Sequence, residues 1–327
     1  DLLVRETEQI RELRFDEGTP GTSPFREVSE VLNAFEDMKV GLRSFQKYLP
    51  MKLVRKLLQE HAEPTLGGEL MELTIYFSDI AGFTPINERM QPMEMATRLG
   101  TYLASLTEII EEHNGTVVQY VGDEVMAFWG APQPVEDHAR QAAIAALKCA
   151  ERVKTLWGDE DVPVFQTRFG IHTARVAVGH FGSVDRLYYG AIGDGINLTS
   201  RLEGANKYYG TEIILTADTR SELGDEFLVR RLDRVAVKGK ELPVTIYELV
   251  SPAAAATDAT RGFVGQYEAA LDEYIAGRFG AALRGFRAAL AVRATDEPSR
   301  IMAGRCRELL DSPPPKGWNG VHVMTMK

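Results

Sequence analysis

Residues Thr116–Trp129, TVVQYVGDEVMAFW, decide the fold. Two runs rich in β-branched and aromatic residues, Thr116 to Tyr120 and Glu124 to Trp129, flank Gly122-Asp123. That pattern predicts a β-hairpin with a tight turn. Working outward, strand and helix patterns alternate. Leu73 to Phe77 is a short apolar strand, and Pro92 to His113 is a helix with Met95, Leu99, Leu103, Leu106 and Ile110 on one side. Downstream, Asp137 to Trp157 is an amphipathic helix with an Ala-rich apolar side. Val164 to Thr173 and Val176 to Phe181 are strands, Asn197 to Tyr208 is a helix, and Ile213 to Leu215 and Val244 to Val250 are strands. This order predicts an α+β sandwich with helices on one face of an antiparallel sheet.

The rest of the chain bounds what that sheet can serve. At about 150 residues per domain, 327 residues allow two domains and short appendages. A composition of 44% hydrophobic and 26% charged residues is that of a globular protein and excludes disordered or collagen-like chains. No stretch reaches the roughly 18 apolar residues that span a bilayer. The best of them, Ala142 to Ala150, is short and carries Lys148. No basic-then-apolar leader is visible, and an upstream sensor or membrane domain before Asp1 is compatible with the chain. The net charge of −10 argues against nonspecific nucleic-acid or anionic-membrane partners. Cys149 and Cys306 are too few for a disulfide framework or a thiolate zinc site, and they suit a reducing cytoplasm.

Residues 1–24 are charged and broken by Gly18, Pro20, Gly21 and Pro24. Then Val28, Val31, Phe35, Met38, Leu42, Phe45 and Leu49 repeat at spacings of 3 and 4, a heptad seam that ends at Pro50. The seam is either a helix packed on its own domain or a parallel coiled coil that pairs two copies of the chain. We divide the chain into 1–49 (coiled coil), 50–70 (linker helix), 71–250 (the α+β domain), 251–261 (linker, SPAAAATDATR) and 262–327 (helical extension). In the extension, Phe263 to Leu290 forms a helical pair turning at Gly277, and Ile301 to Leu310 is a third helix stopped by Pro313-Pro314-Pro315. One such hairpin resembles a tetratricopeptide unit, but a single repeat makes no solenoid. It serves as a helical cap or as a partner-docking surface.

Two carboxylates stand where strands end. Asp79 lies in FSDIAGFT (Phe77–Thr84), and Asp123 lies at the hairpin tip. On neighbouring strands they would meet, and two such acids repel unless a cation sits between them. Hard oxygen donors suit Mg²⁺ or Mn²⁺ shared with phosphates, whereas the alternative is a pair of turn aspartates. Asn197 and Arg201 lie four apart near the start of a helix, an end suited to anions, or they are a cap and a surface arginine. Lys238 and Lys240 flank Gly239 on a late strand.

Together these segments resemble the catalytic domain of the class III nucleotidyl cyclases, the adenylyl and guanylyl cyclases. The motifs are Phe77–Thr84, Tyr120–Gly130, Tyr188–Glu203 and Val237–Lys240, and the likeness runs from Leu73 to Leu249. Residues 1–49 resemble a HAMP signalling module, as in receptor-type bacterial cyclases. The resemblance implies a ferredoxin-like βαββαβ-type core that dimerises head to tail, after a coiled-coil segment and before a small helical extension. It implies two ions per site, Mg²⁺ or Mn²⁺, on Asp79, Asp123 and the backbone of Ile80. Asn197 and Arg201 would orient the ribose and stabilise the transition state. Lys238 would bind triphosphate, and Arg175 matches a phosphate-contacting arginine of some members. The sites would be shared across a homodimer that closes ATP or GTP to a cyclic nucleotide. The location implied is cytoplasmic, as a free protein or as the cytoplasmic portion of a membrane-anchored receptor.

The base-reading positions depart from the family. Gln119 stands where adenylyl cyclases carry Lys and guanylyl cyclases Glu, and Gly190 stands where Asp, Thr or Cys is usual. A glutamine amide both donates and accepts, so it can face either purine. The reading is an ATP cyclase. The alternatives are a guanylyl or dual-specificity cyclase, or a degenerate domain that binds nucleotide as a dimer module. Ala174 replaces a usual Gly and is expected to disturb a turn near the dimer interface.

Overall fold

The computed structural model describes residues 25–46, 48–157, 164–237 and 243–324, with residues 4, 13 and 15 singly. They belong to two compact units, residues 1–66 with 182–187, and residues 67–181 with 188–327.

In the first unit, α1 (Arg26–Gln46) and α2 (Met51–Glu60) are the described helices. The heptad positions Val31, Met38 and Phe45 are exposed on α1, while Leu32 and Lys39 are buried. The helix ends at Gln46, so Leu49, the last position of the seam, lies beyond it. Leu49 precedes Pro50, whose ring disfavours helical backbone at the residue before it. Most of residues 1–24, and with them the HAMP-like reading, lie outside the described residues.

The second unit is built on a sheet of nine strands among the described residues. They are β1 (Gly67–Ile80), β2 (Thr116–Val121), β3 (Glu124–Trp129), β4 (Thr167–Ser183), β5 (Arg186–Ile192), β6 (Ile213–Thr216), β7 (Phe227–Val237), β8 (Val244–Pro252) and β9 (His322–Met324). Their order is β2-β3-β1-β4-β6-β8-β7-β9, with β5 paired to β4. β4/β6 and β7/β9 are parallel, so the sheet is mixed. The helices are α3 (Phe83–Arg89), α4 (Pro92–Glu112), α5 (His138–Thr155), α6 (Asp194–Tyr209), α7 (Ala217–Glu222), α8 (Asp258–Ile275), α9 (Phe279–Val292) and α10 (Glu297–Asp311).

Successive strand residues face opposite ways. Tyr76, Ala127, Trp129, Phe169 and Ile171 pack with Leu106 and Ile110 of α4 and with Ala142, Ala146 and Cys149 of α5. The other face, Leu73, Ile75, Phe77, Met126, Phe128 and Val176, meets Tyr189 and Ala191 of β5 and Ile196 of α6. Helices therefore cover both faces, not the one expected. Small residues explain the approach of α6. A Cβ at Gly170 of β4 would lie 2.5 Å from the backbone N of Glu203, and one at Gly195 would lie 2.8 Å from Ala174 Cβ.

β4 is one unbroken strand of 17 residues where two were expected. Ala174 pairs with Leu73 and Arg175 with Glu72 in mid-strand, so Ala174 disturbs no turn. β1 likewise begins at Gly67, four residues before the expected domain start.

The segment expected as a linker is ordered. β8 runs to Pro252, Ala253–Ala255 is a 3-10 turn, and the Thr257 side chain accepts from the Thr260 N–H to cap α8. The chain turns between α8 and α9 at Gly277, where φ is +74°, a conformation glycine enters freely. Tyr267, Leu271, Phe286, Met302 and Cys306 form the core of this cap. Buried Arg230 of β7 donates to Glu248 at 2.8 Å and to Asp296 at 2.7 Å, and lies 4.7 Å over the Tyr267 ring. Arg305 of α10 donates to Asp233 and to the Tyr209 hydroxyl. Both cysteines are free and buried. Among the described residues no helix is long and apolar enough to cross a membrane.

Candidate active site

β1 delivers Asp79 one residue before its end, and the β2–β3 turn delivers Asp123 beside it. β1 and β3 are neighbours, with Ser78 opposite Val125, so the two acids meet as expected. The Ile80 N–H donates to Asp123 Oδ2 at 3.0 Å. That commitment leaves only the carbonyl of Ile80 for the backbone contact expected of it. Gly122 turns the hairpin with φ at +66°, and Gly82, at +70°, turns the chain out of β1 into α3.

Burial pushes the Asp79 carboxyl up to about 8, helped by a hydrogen bond to Asp123, by the charge of Asp123 and by Glu203 and Glu124. Glu124 is raised by burial and by Asp123. Glu203 of α6 is raised to about 7, chiefly by burial, with Arg168 opposing and with Glu124 and Asp123 adding to the rise. Its Oε1 is buried without a hydrogen-bond partner. A half-buried set of oxygen donors with excess negative charge fits a hard divalent cation, Mg²⁺ or Mn²⁺.

Asn197 and Arg201 lie one turn apart on α6, both exposed. Glu203 is half a turn around the helix from Arg201 and is buried against the sheet. So α6 shows its own acidic pair Glu203, not Asn197 or Arg201.

A bulge sets Gln119. Val117 pairs with Ala127 and Gln119 with Met126, leaving Val118 as the extra residue. Directly opposed residues share a face, so Gln119 lies on the α6 side with Met126, whereas simple alternation would have kept it with Val117. Gly190 lies on that same side. A Cβ there would lie 3.1 Å from the Tyr188 ring and 3.8 Å from Val118 Cγ1. The two base-reading candidates thus lie near each other, Gln119 exposed and Gly190 buried under Tyr188.

Arg175 is not brought into this group. It stands opposite Glu72, in phase with Thr173, whose hydroxyl bonds Thr74 on the α5 side. Lys238 lies outside the described residues, just past the end of β7. On the α5 side, Glu72, His138 and Glu222 bring one ligand atom each within 4.8 Å, and Thr74 Oγ1 holds His138 Nδ1 at 2.8 Å. This trio, drawn from three elements, is separate from the aspartate pair. The sequence reading also passed over Glu124, Arg168 and Glu203. For Glu203 a signal existed: on a helix it falls on the sheet side, a charged residue where apolar ones belong.

Residues 68–251 match the family of the adenylate and guanylate cyclase catalytic domain. The chain is 34% identical over 251 residues to adenylate cyclase 1 of Rhizobium meliloti (strain 1021), covering 76% of this chain and 38% of that protein. It is 31% identical to an adenylate cyclase of Anabaena cylindrica, covering 72% of this chain and 49% of that one. The chain thus spans less than half the length of these relatives. Among solved structures, the adenylyl cyclase CyaB from P. aeruginosa superposes with a TM-score of 0.54 at 32% identity, covering 59% of this chain and 100% of that one. The guanylyl cyclase Cya2 gives 0.51 at 29% identity, covering 59% and 98%.

Proposed function

The chain belongs to the adenylate and guanylate cyclase catalytic-domain family, and from that membership we propose that it closes ATP to 3′,5′-cyclic AMP and pyrophosphate as a homodimer with two shared sites. The observation that carries this reading is the opposed facing of its two sets of functional residues. Asp79 and Asp123 sit together under Glu203, while Asn197 and Arg201 of the same α6 turn to solvent. A second copy, related by a twofold axis, would present its Asn197 and Arg201 to the first copy's aspartates, and the reverse. The exposed heptad positions Val31, Met38 and Phe45 fit the same pairing.

In this reading Asp79, Asp123 and the backbone of Ile80 would hold the divalent ions. Such ions, when bound, neutralise triphosphate charge and ease ionisation of the ribose 3′-hydroxyl. The partner's Asn197 orients the ribose, and the partner's Arg201 meets the charge that develops on the α-phosphate. Lys238 binds the triphosphate tail. The 3′-hydroxyl loses its proton to solvent, its oxygen forms the new ester bond to the α-phosphorus, and the bond from that phosphorus to the departing pyrophosphate breaks. Positioning and charge stabilisation carry the rate. Arg175, on the other side of the sheet, is assigned no substrate contact.

ATP is favoured because the relatives above bear adenylate cyclase names. GTP is the second reading, because the exposed Gln119 amide can serve either base and Gly190 adds no side chain to choose between them.

The test is turnover of ATP and of GTP, each with Mg²⁺ and with Mn²⁺, with the product identified by mass spectrometry. Asp79→Ala should abolish cyclic product, and Arg201→Ala should cut it about 10²- to 10³-fold. Mixed and re-equilibrated, the two variants should recover about a quarter of wild-type activity, since half the dimers are mixed and each has one intact site. No recovery would refute the shared site. Nucleotide binding without cyclic product from wild type would leave a nucleotide-binding dimer module.

A further inference from the structure

We propose that Glu203 is a positioning carboxylate for the divalent ion on Asp79 and Asp123 of its own protomer, meeting a water of that ion's shell through its unpartnered Oε1. The inference rests on the cyclase reading and adds to it a residue that the metal set, as read from the sequence, does not contain.

The placement comes from the sheet register. Gly170 of β4 pairs with Phe77 of β1, and two residues on, Arg168 pairs with Asp79. Phe77 and Asp79 share a face, the one that α6 covers. The backbone of Glu203 is pressed onto Gly170, where a Cβ would lie 2.5 Å from its N atom. Glu203 therefore rises from α6 beneath the strand end that carries Asp79. It is 8% exposed, and its Oε1 has no hydrogen-bond partner.

A carboxylate buried this way is costly unless something answers its charge. Arg168 answers part of it, but the charges of Glu124 and Asp123 oppose it. With a cation held by Asp79 and Asp123, that balance would reverse. Glu203 would then meet attraction in place of repulsion, and its Oε1 would take its missing donor from a water of the ion's shell. Groups outside the direct ligands commonly set metal affinity about 10- to 100-fold.

The experiment measures Mn²⁺ binding to the nucleotide-free full chain by the electron paramagnetic resonance signal of free Mn²⁺. Wild type, Asp79→Asn and Glu203→Gln are compared, with thermal melting in parallel. We expect Mn²⁺ binding to be lost in Asp79→Asn and weakened about 10-fold in Glu203→Gln at an unchanged fold. If Asp79→Asn abolishes binding and Glu203→Gln binds like wild type, the role of Glu203 is overturned and the cyclase reading stands. If binding ignores Asp79→Asn, the metal assignment falls and this inference with it. Should Glu203→Gln not fold, Glu203→Asp replaces it, since withdrawing the carboxylate by one methylene should cost a similar factor.

Discussion

Asn197 and Arg201 are exposed, so trimming either should spare the core. Asn197→Ala and Arg201→Ala are each expected to lower kcat by about 10²- to 10³-fold, the usual loss for one transition-state donor, with Tm unchanged. Steady-state kinetics and melting curves check this. Asp79 makes a pH prediction. Folding raises its carboxyl from 3.8 to about 8, so the folded state holds its proton more tightly than the unfolded one. Stability contributed below the unfolded value is therefore lost as pH climbs through the folded one. Without divalent cation, Tm should fall between about pH 4 and about pH 8, Asp79→Asn should flatten that fall, and Mn²⁺ should raise Tm most at the alkaline end. A melting series in a chelating buffer measures it. Both aspartates were legible in the sequence because each ends a strand pattern. The facing of Gln119 was not, because one unpaired residue, Val118, breaks the alternation by which a strand is read.

At the scale of elements, α6 is held by what its neighbours lack. Gly170→Ala places a methyl against backbone atoms of Thr199 and Glu203 that cannot swing aside. The helix must lift, at about 1–3 kcal/mol by chemical denaturation, and activity should fall with it because Asn197 and Arg201 ride on α6. The hairpin was legible from Gly122-Asp123. The continuity of β4 was not, because its run of small and polar residues, Thr173, Ala174 and Arg175, looks like a break until β1 is seen beside it. Nor did periodicity show that helices sit on both faces, since it reports that a helix has an apolar side but not which surface meets it.

Across the whole molecule, the cap is tied to the sheet by buried charge. Arg305 pairs with Asp233, which also accepts from the Tyr209 hydroxyl at 2.6 Å. Arg305→Ala leaves a buried carboxylate without its cation and should cost about 3–5 kcal/mol in urea unfolding. If the cap were a loosely tethered docking module, the loss would be near zero. The helices of the cap were legible from their apolar spacing. Their attachment was not, because Arg230 and Arg305 read as surface charges until their partners are known. The last described strand was unforeseen as well. β9 pairs in parallel with β7, with Val235 beside His322 and Val237 beside Met324. During synthesis β7 leaves the ribosome long before β9 exists to cover it. Through that interval the nascent chain carries an open sheet edge, the kind of surface on which newly made chains recruit one another. Yield in a cell then depends on how fast the stretch from β7 to β9 is made, and slow codons between them should favour aggregates without changing one residue of the finished protein.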